Sequence, residues 1–242
     1  MYLQQLGIFG WNREDENLLL ASLLTGDPML LIGNHGCAKT HLGTKLAQAL
    51  GKRHLVYDAS KAMFEDVLGF PNTAKLSTGE VEYVPSPVTI WDKELIIIDE
   101  LNRAVPELQS KWLEIIRSRR IMGFDTSVKW VWAAMNPVSY EGANALDEAL
   151  IGRFALFLYP PDVLKMDEHD RIQVLTHING DDAPSLQEWT TNHTGAGTVP
   201  EHQVSEVGEA IQQTLRLAAT RFLQLRVHLG TLPAFSSRCH RR

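Results

Sequence analysis

One octapeptide narrows the fold more than anything else in the chain. "GNHGCAKT" (33–40) follows "PMLLI" (28–32), a short all-apolar run, and opens into "KTHLGTKLAQAL" (39–50), a helical segment closed by Gly51. A strand buried on both faces, then a glycine-rich turn, then a helix is the local plan of a phosphate cradle. Backbone N–H groups and the positive end of the helix face the anion there. The phosphate-loop pattern is Gly, four free positions, Gly, Lys, then Ser or Thr. Gly33, Lys39 and Thr40 match it, and Ala38 stands where the second glycine belongs. If position 38 takes a positive φ, alanine costs on the order of 1 kcal/mol, which a fold absorbs. Gly36 still supplies local freedom.

The candidate nucleotide-binding set is therefore Gly33, Asn34, His35, Gly36, Cys37, Ala38, Lys39, Thr40 and His41. Lys39 is suited to the β and γ phosphates and Thr40 to Mg²⁺. His35 and His41 flank the loop, but the histidines fall in no HExxH or metal-triad spacing, so a zinc role is disfavoured.

Further along, the apolar pattern keeps alternating between short runs and helical periods. "NREDENLLLASLLTG" (12–26) reads as a helix capped by Asn12 and stopped by Gly26. "HLVYDA" (54–59), "ELIIIDE" (94–100), "VKWVWAAMN" (128–136) and "ALFLY" (155–159) read as strands; "VPELQSKWLEIIRSRR" (105–120) and "NALDEALIGRF" (144–154) read as helices. This alternation predicts an α/β core with a parallel sheet flanked by helices. After Pro160-Pro161 the strands stop. A helix over about 166–178, a polar Gly- and Pro-rich loop over 179–202 and a helix carrying Val204, Val207, Ile211, Leu215, Ala218, Phe222 and Leu225 at helical spacing predict a small all-α lid. The expected division is a core over 1–161 and a lid over 162–242.

Two strand ends carry polar chemistry. Asp99 and Glu100 close the third strand, where a sheet of this kind brings them beside the cradle. Asp99 suits Mg²⁺ held through water, and Glu100 suits polarising an attacking water. Asn136 ends the next strand and suits orienting that water. Taken singly, an Asp-Glu after a strand is also an ordinary turn, and Asn136-Pro137 is also a turn former.

The net charge of −6 over 242 residues disfavours a dedicated nucleic-acid binder. Cys37 and Cys239 have no metal or CxxC spacing and read as reduced thiols of a cytoplasmic protein. No apolar run approaches the roughly 20 residues of a membrane span, and the first fifteen residues lack the pattern of a signal peptide.

With "GNHGCAKT", "LIIIDELNRA", "AAMNP" and "EGANALDEALIGRF" in this order and spacing, the chain resembles the MoxR-like branch of the AAA+ ATPases over roughly residues 6–160. Alanine before the loop lysine is frequent in that branch. The resemblance implies Mg²⁺-dependent ATP hydrolysis, with "IFGW" (8–11), including Phe9 and Gly10, as the adenine-contacting segment. It implies an insert beginning at "MFEDVLG" (63–69), a β-hairpin at "TAKLSTGEVEYV" (73–84) and another at "RRIMGFDTSVKW" (119–130). Arg153 would be the arginine finger acting on a neighbour's ATP, although Gly152 replaces the family's usual acidic residue before it; a surface arginine beside a core Phe154 is the bland alternative. Arg103 could act at a subunit boundary or serve as a helix-start cation, and Arg238 is the best sensor 2 candidate. The family forms rings, usually hexamers, and remodels client proteins, often with a von Willebrand factor A domain partner. Two other function classes stay open: a nucleotide-dependent assembly scaffold with little hydrolysis, and a subunit of a nucleic-acid motor.

Overall fold

Alternating burial along two central strands explains the layering. In β1 (Met29–Ile32), Met29 and Leu31 turn to one face of the sheet and Leu30 to the other. In β8 (Trp130–Met135), Trp132 and Ala134 join the first face, while Val131, Ala133 and Met135 join the second. Strands buried on both sides need helices on both sides. A computed structural model describes residues 1–137, 146–176 and 201–230 and has this arrangement.

The chain runs α1 (Tyr2–Gln5), α2 (Arg13–Thr25), β1, α3 (Lys39–Ala49), β2 (His54–Asp58), α4 (Phe64–Leu68), β3 (Phe70–Pro71), α5 (Thr73–Leu76), β4 (Tyr83–Val84) and β5 (Leu95–Asp99). It continues through a 3₁₀ turn (Leu101–Arg103), α6 (Pro106–Ser118), β6 (Arg120–Ile121), β7 (Phe124–Asp125), β8, α7 (Glu148–Ile151) and β9 (Leu156–Leu158). A second 3₁₀ turn (Val163–Lys165), α8 (Glu168–Thr176) and α9 (Glu201–Gly230) follow. The main sheet is parallel in the order β2-β5-β8-β1-β9. This is the expected P-loop α/β core.

Local chemistry sets the helix ends. Asn12 accepts a hydrogen bond from Asp15 N at 2.8 Å to start α2, and Gly26 ends it at φ 76°. Pro106 begins α6, where its missing N–H costs nothing. Arg119 ends α6 in the left-handed region, and its guanidinium donates to the carbonyls of Ile115 (3.3 Å), Ile116 and Gly26 (2.8 Å). One half-buried side chain thus satisfies orphan carbonyls at the ends of both α6 and α2.

One face of the sheet packs on α6 through Leu108, Trp112, Ile115 and Ile116. The other packs on α1, α2, α3 and α9 through Leu3, Leu19, Leu42, Leu46, Val207 and Ile211. Gly43 lets α3 lie close to β5: a Cβ there would stand 2.6 Å from Ile97 Cδ1. Among the described residues no helix is long and apolar enough to cross a membrane.

The structure corrects several element boundaries. Residues 73–84 do not form a hairpin along their length. Asn72 accepts from Ala74 N at 3.2 Å and starts a helical turn at Thr73–Leu76, so the ladder pairs Phe70–Pro71 with Tyr83–Val84 instead. The second hairpin is present but short, with Met122 (φ 53°) and Gly123 (φ 81°) forming its two-residue turn. Of the helix expected over 144–154, the described part is one turn, Glu148–Ile151, capped by Asp147. The loop expected over 179–202 lies almost wholly outside the described residues, as do the side chains of Phe222 and Leu225.

Candidate active site

Three parallel strands deliver the cleft at their C-terminal ends. β1 leads into the loop 33–38, and Gly33 N donates to Met135 O at 3.2 Å, pinning that loop to β8. Ala38 takes φ 53°, so the position does demand the left-handed conformation. No side chain caps α3 behind it. The first amides of α3 are therefore left for a ligand, with the helix dipole behind them.

Lys39 is 7% exposed. Its ammonium donates to Gly33 O (2.7 Å), Asn34 O (2.8 Å) and Asn136 Oδ1 (3.0 Å). Burial lowers its pKa, and the nearby Cys37, Asp99 and Glu100 oppose that shift. Thr40 Oγ1 donates to Asp99 Oδ2, while Asp99 Oδ1 accepts from Glu100 N at 2.9 Å. Glu100 itself sits at φ 52° and pairs with Arg103 at 3.3 Å. Asn136 is 5% exposed and is held from behind by Asn102, whose Nδ2 donates to Asn136 O at 3.0 Å.

These groups line a single cleft of ≈ 570 Å³, a size suited to a nucleotide. His35, Gly36, Cys37, Ala38, Lys39, Thr40, His41, Asp99, Glu100 and Asn136 all face it. Gly33 and Asn34 lie at its back, where their carbonyls meet Lys39. Phe9 and Gly10 do not line it; Gly10 lies against Met166, which a Cβ would meet at 2.5 Å. Arg153 is exposed just after α7 and does not line this cleft. Arg238 and Cys239 lie outside the described residues.

The site also includes residues that sequence reasoning missed, Asp58 in the cleft lining and Asn102 and Asp162 outside it. Asp58 ends β2 directly opposite Asp99 and pairs with Lys61 at 2.9 Å. A second acid at a strand end, three residues before a lysine, was the available signal. Asn102 gave none, because its burial follows from a three-residue 3₁₀ turn with no periodicity to read. Asn34 Nδ2 donates to Asp162 Oδ2 at 3.1 Å and joins the loop to the segment after β9.

The donor set fits a magnesium–nucleotide complex. A hydroxyl and a carboxylate already in contact offer Mg²⁺ hard oxygens, the carboxylate through water, and phosphate oxygens and further waters commonly complete the shell. A family model for the AAA domain of the dynein-related subfamily matches residues 28–154, more than half of the chain. The chain belongs to the dynein-related AAA family. The AAA domain is an ATPase module that works on ATP with Mg²⁺.

The chain is 31% identical over 170 residues to YeaC of Bacillus subtilis, a protein of uncharacterised function, covering 62% of this AAA protein and 50% of YeaC. It is 27% identical over 191 residues to the structural protein ORF618 of Acidianus two-tailed virus, covering 74% of this chain and 30% of that one. The chain thus spans half or less of the curated relatives it matches. Its fold resembles a Cytophaga hutchinsonii protein assigned as an ATPase, with a TM-score of 0.55 at 22% identity over 86% of this chain and 60% of that one. It also resembles NtrX of Brucella abortus in complex with ATP, with a TM-score of 0.52 at 14% identity over 86% and 50%.

Proposed function

We propose that this AAA protein is a MoxR-like ATPase that couples ATP hydrolysis to the remodelling or activation of a client protein. The observation that carries the proposal is the convergence of Lys39, Thr40, Asp99, Glu100 and Asn136 on one cleft from three separate strand ends. Lys39 takes the β and γ phosphates by giving up part of its present set of carbonyl acceptors. Thr40, and Asp99 through water, would hold Mg²⁺, which when bound would neutralise charge on the phosphate oxygens. Glu100 polarises the attacking water and accepts its proton, and Asn136 orients that water. Catalysis of this kind is mostly positioning and charge stabilisation.

Arg153 serves a neighbouring subunit in a ring, a hexamer by family resemblance, and its exposure and absence from the lining of its own cleft support that role. By family resemblance Phe9 and Gly10, which lie outside the lining of the cleft, are the candidates to contact the base, and Arg238 is the sensor 2 candidate. The division into a core over 1–161 and a helical lid over 162–242 belongs to the same proposal. A von Willebrand factor A domain protein is the partner class it implies, in the cytoplasm.

Lys39→Ala tests the reading. Loss of tight fluorescent-ATP binding is expected, because a point charge on the β and γ phosphates is hard to replace. An unchanged dissociation constant would sink it. The likeness to a viral structural protein favours one second reading, a nucleotide-dependent assembly scaffold that hardly hydrolyses ATP. Steady-state turnover of the assembled protein separates the two.

A further inference from the structure

We infer that Asn102 is a positioning residue for hydrolysis, setting the distance between Glu100 and Asn136. This rests on the roles proposed above for those two residues. Asn102 is 1% exposed and lies two positions after Glu100, on the 3₁₀ turn that leaves β5. Its Nδ2 donates to the backbone carbonyl of Asn136 at 3.0 Å, a contact buried between two strand ends. Asn136 in turn presents Oδ1 to Lys39 Nζ at 3.0 Å. One amide therefore ties the segment carrying the proposed base to the segment carrying the proposed water-orienting group. The amide orientation follows from chemistry, since a carbonyl accepts only and the nitrogen must face it.

The same side chain is a poor choice for stability alone. Asn102 Oδ1 is buried and has no hydrogen-bond partner among the described residues. Burying that oxygen unpaired carries a desolvation cost that offsets much of what the bond to Asn136 O contributes. The turn itself is already fixed from the other side, where Gln109 Nε2 donates to Ala104 O at 3.0 Å. What Asn102 adds is the fixed spacing across the cleft. An attacking water must touch both groups at once, so that spacing bears on turnover and not on ATP binding.

The test measures kcat and the ATP dissociation constant for Asn102→Ala, for the volume-keeping Asn102→Leu, for Asn136→Ala and for the double variant Asn102→Ala/Asn136→Ala. Expected is a fall in kcat of about tenfold to a hundredfold for both Asn102 variants, with ATP affinity held within about threefold. The double variant should turn over no more slowly than Asn136→Ala, because a spacer has nothing left to position. An unchanged kcat, or effects that multiply in the double variant, overturns the inference. Loss of folding in both Asn102 variants also overturns it and leaves the residue a structural role. If Asn136→Ala alone turns over normally, the reading of the site falls and this inference falls with it. If Asn136→Ala is slow while Asn102→Ala is not, only this inference falls.

Discussion

Gly208→Ala isolates how α9 sits on the core, because two physical effects give it opposite signs. In a helix exposed to water, alanine in place of glycine stabilises by about 1 kcal/mol. At Gly208 the added Cβ would stand 1.6 Å from Ala49 O and 2.5 Å from Ala49 C, both backbone atoms at the end of α3. Neither atom can swing aside as a flexible side chain would. The helix must move off by about 1.5 Å to restore contact distance, and overpacking of this kind typically costs about 1–3 kcal/mol. That shift also lifts Val207 and Ile211, now 4% and 0% exposed, and strains the hydrogen bond of 2.7 Å between the Tyr2 and Thr214 hydroxyls. Each large aliphatic side chain is worth about 1.5–3 kcal/mol when fully buried, so even partial uncovering outweighs the propensity gain. The expected net is a loss of about 1–3 kcal/mol, or a fall in Tm of roughly 3–10 °C at this chain length. Thermal unfolding followed by far-ultraviolet circular dichroism reads it directly. A Tm that holds or rises would falsify the docking of α9 against α3.

Ala38→Gly should raise stability by about 0–1.5 kcal/mol and should not lower it, since relief of about 1–2 kcal/mol of left-handed strain is offset in part or whole by about 0.5–1 kcal/mol of chain entropy. The residue is exposed, so no packing is lost; a clear drop in the urea midpoint would contradict this. Glu100→Gln should keep ATP affinity and slow turnover by about 10²–10⁴, and turnover within about threefold of wild type removes Glu100 as the base. Arg153→Ala should bind ATP normally and hydrolyse poorly, with an arginine finger worth about 10³–10⁵ in rate. Mixed with Lys39→Ala subunits it should recover activity, and a flat rate across mixing ratios, with mixed assemblies confirmed, speaks against action in trans.

The parts of the site written in contiguous sequence were legible in advance. The loop 33–40 carries its own strand before it and helix after it, and β5 and β8 end in polar residues after unbroken apolar runs. The caps of α2 were equally plain, because Asn12 and Gly26 act within four residues of themselves. What escaped depends on contacts between distant segments. α1 is too short to show a period and is fixed by Glu16 Oε2, which accepts from Leu3 N at 2.9 Å. The hairpin expected over residues 73–84 rests on family resemblance alone, but Asn72 offers the backbone a local hydrogen bond that starts a helical turn instead. Lys39 was legible as a phosphate ligand, whereas its bond to Asn136 joins positions that only the sheet order brings together.

The sheet order also imposes a timetable on synthesis. β1 pairs with β8 and β9 and with neither β2 nor β5, so Met29 waits for Trp132, roughly a hundred residues later in the chain. At about 5–20 residues per second, the apolar strand that precedes the phosphate loop stays unpaired on the nascent chain for about 5–20 s. No stretch of chain ending before β8 can pin Gly33 to Met135 or set Asn136 against Lys39. Nucleotide therefore has no finished cradle to bind until most of the core has emerged from the ribosome, and ATP cannot nucleate this fold. Ribosome-bound chains stalled soon after residue 128 should leave the amides of 29–32 open to hydrogen exchange with or without ATP, and ATP-dependent protection there would show that the cradle forms early.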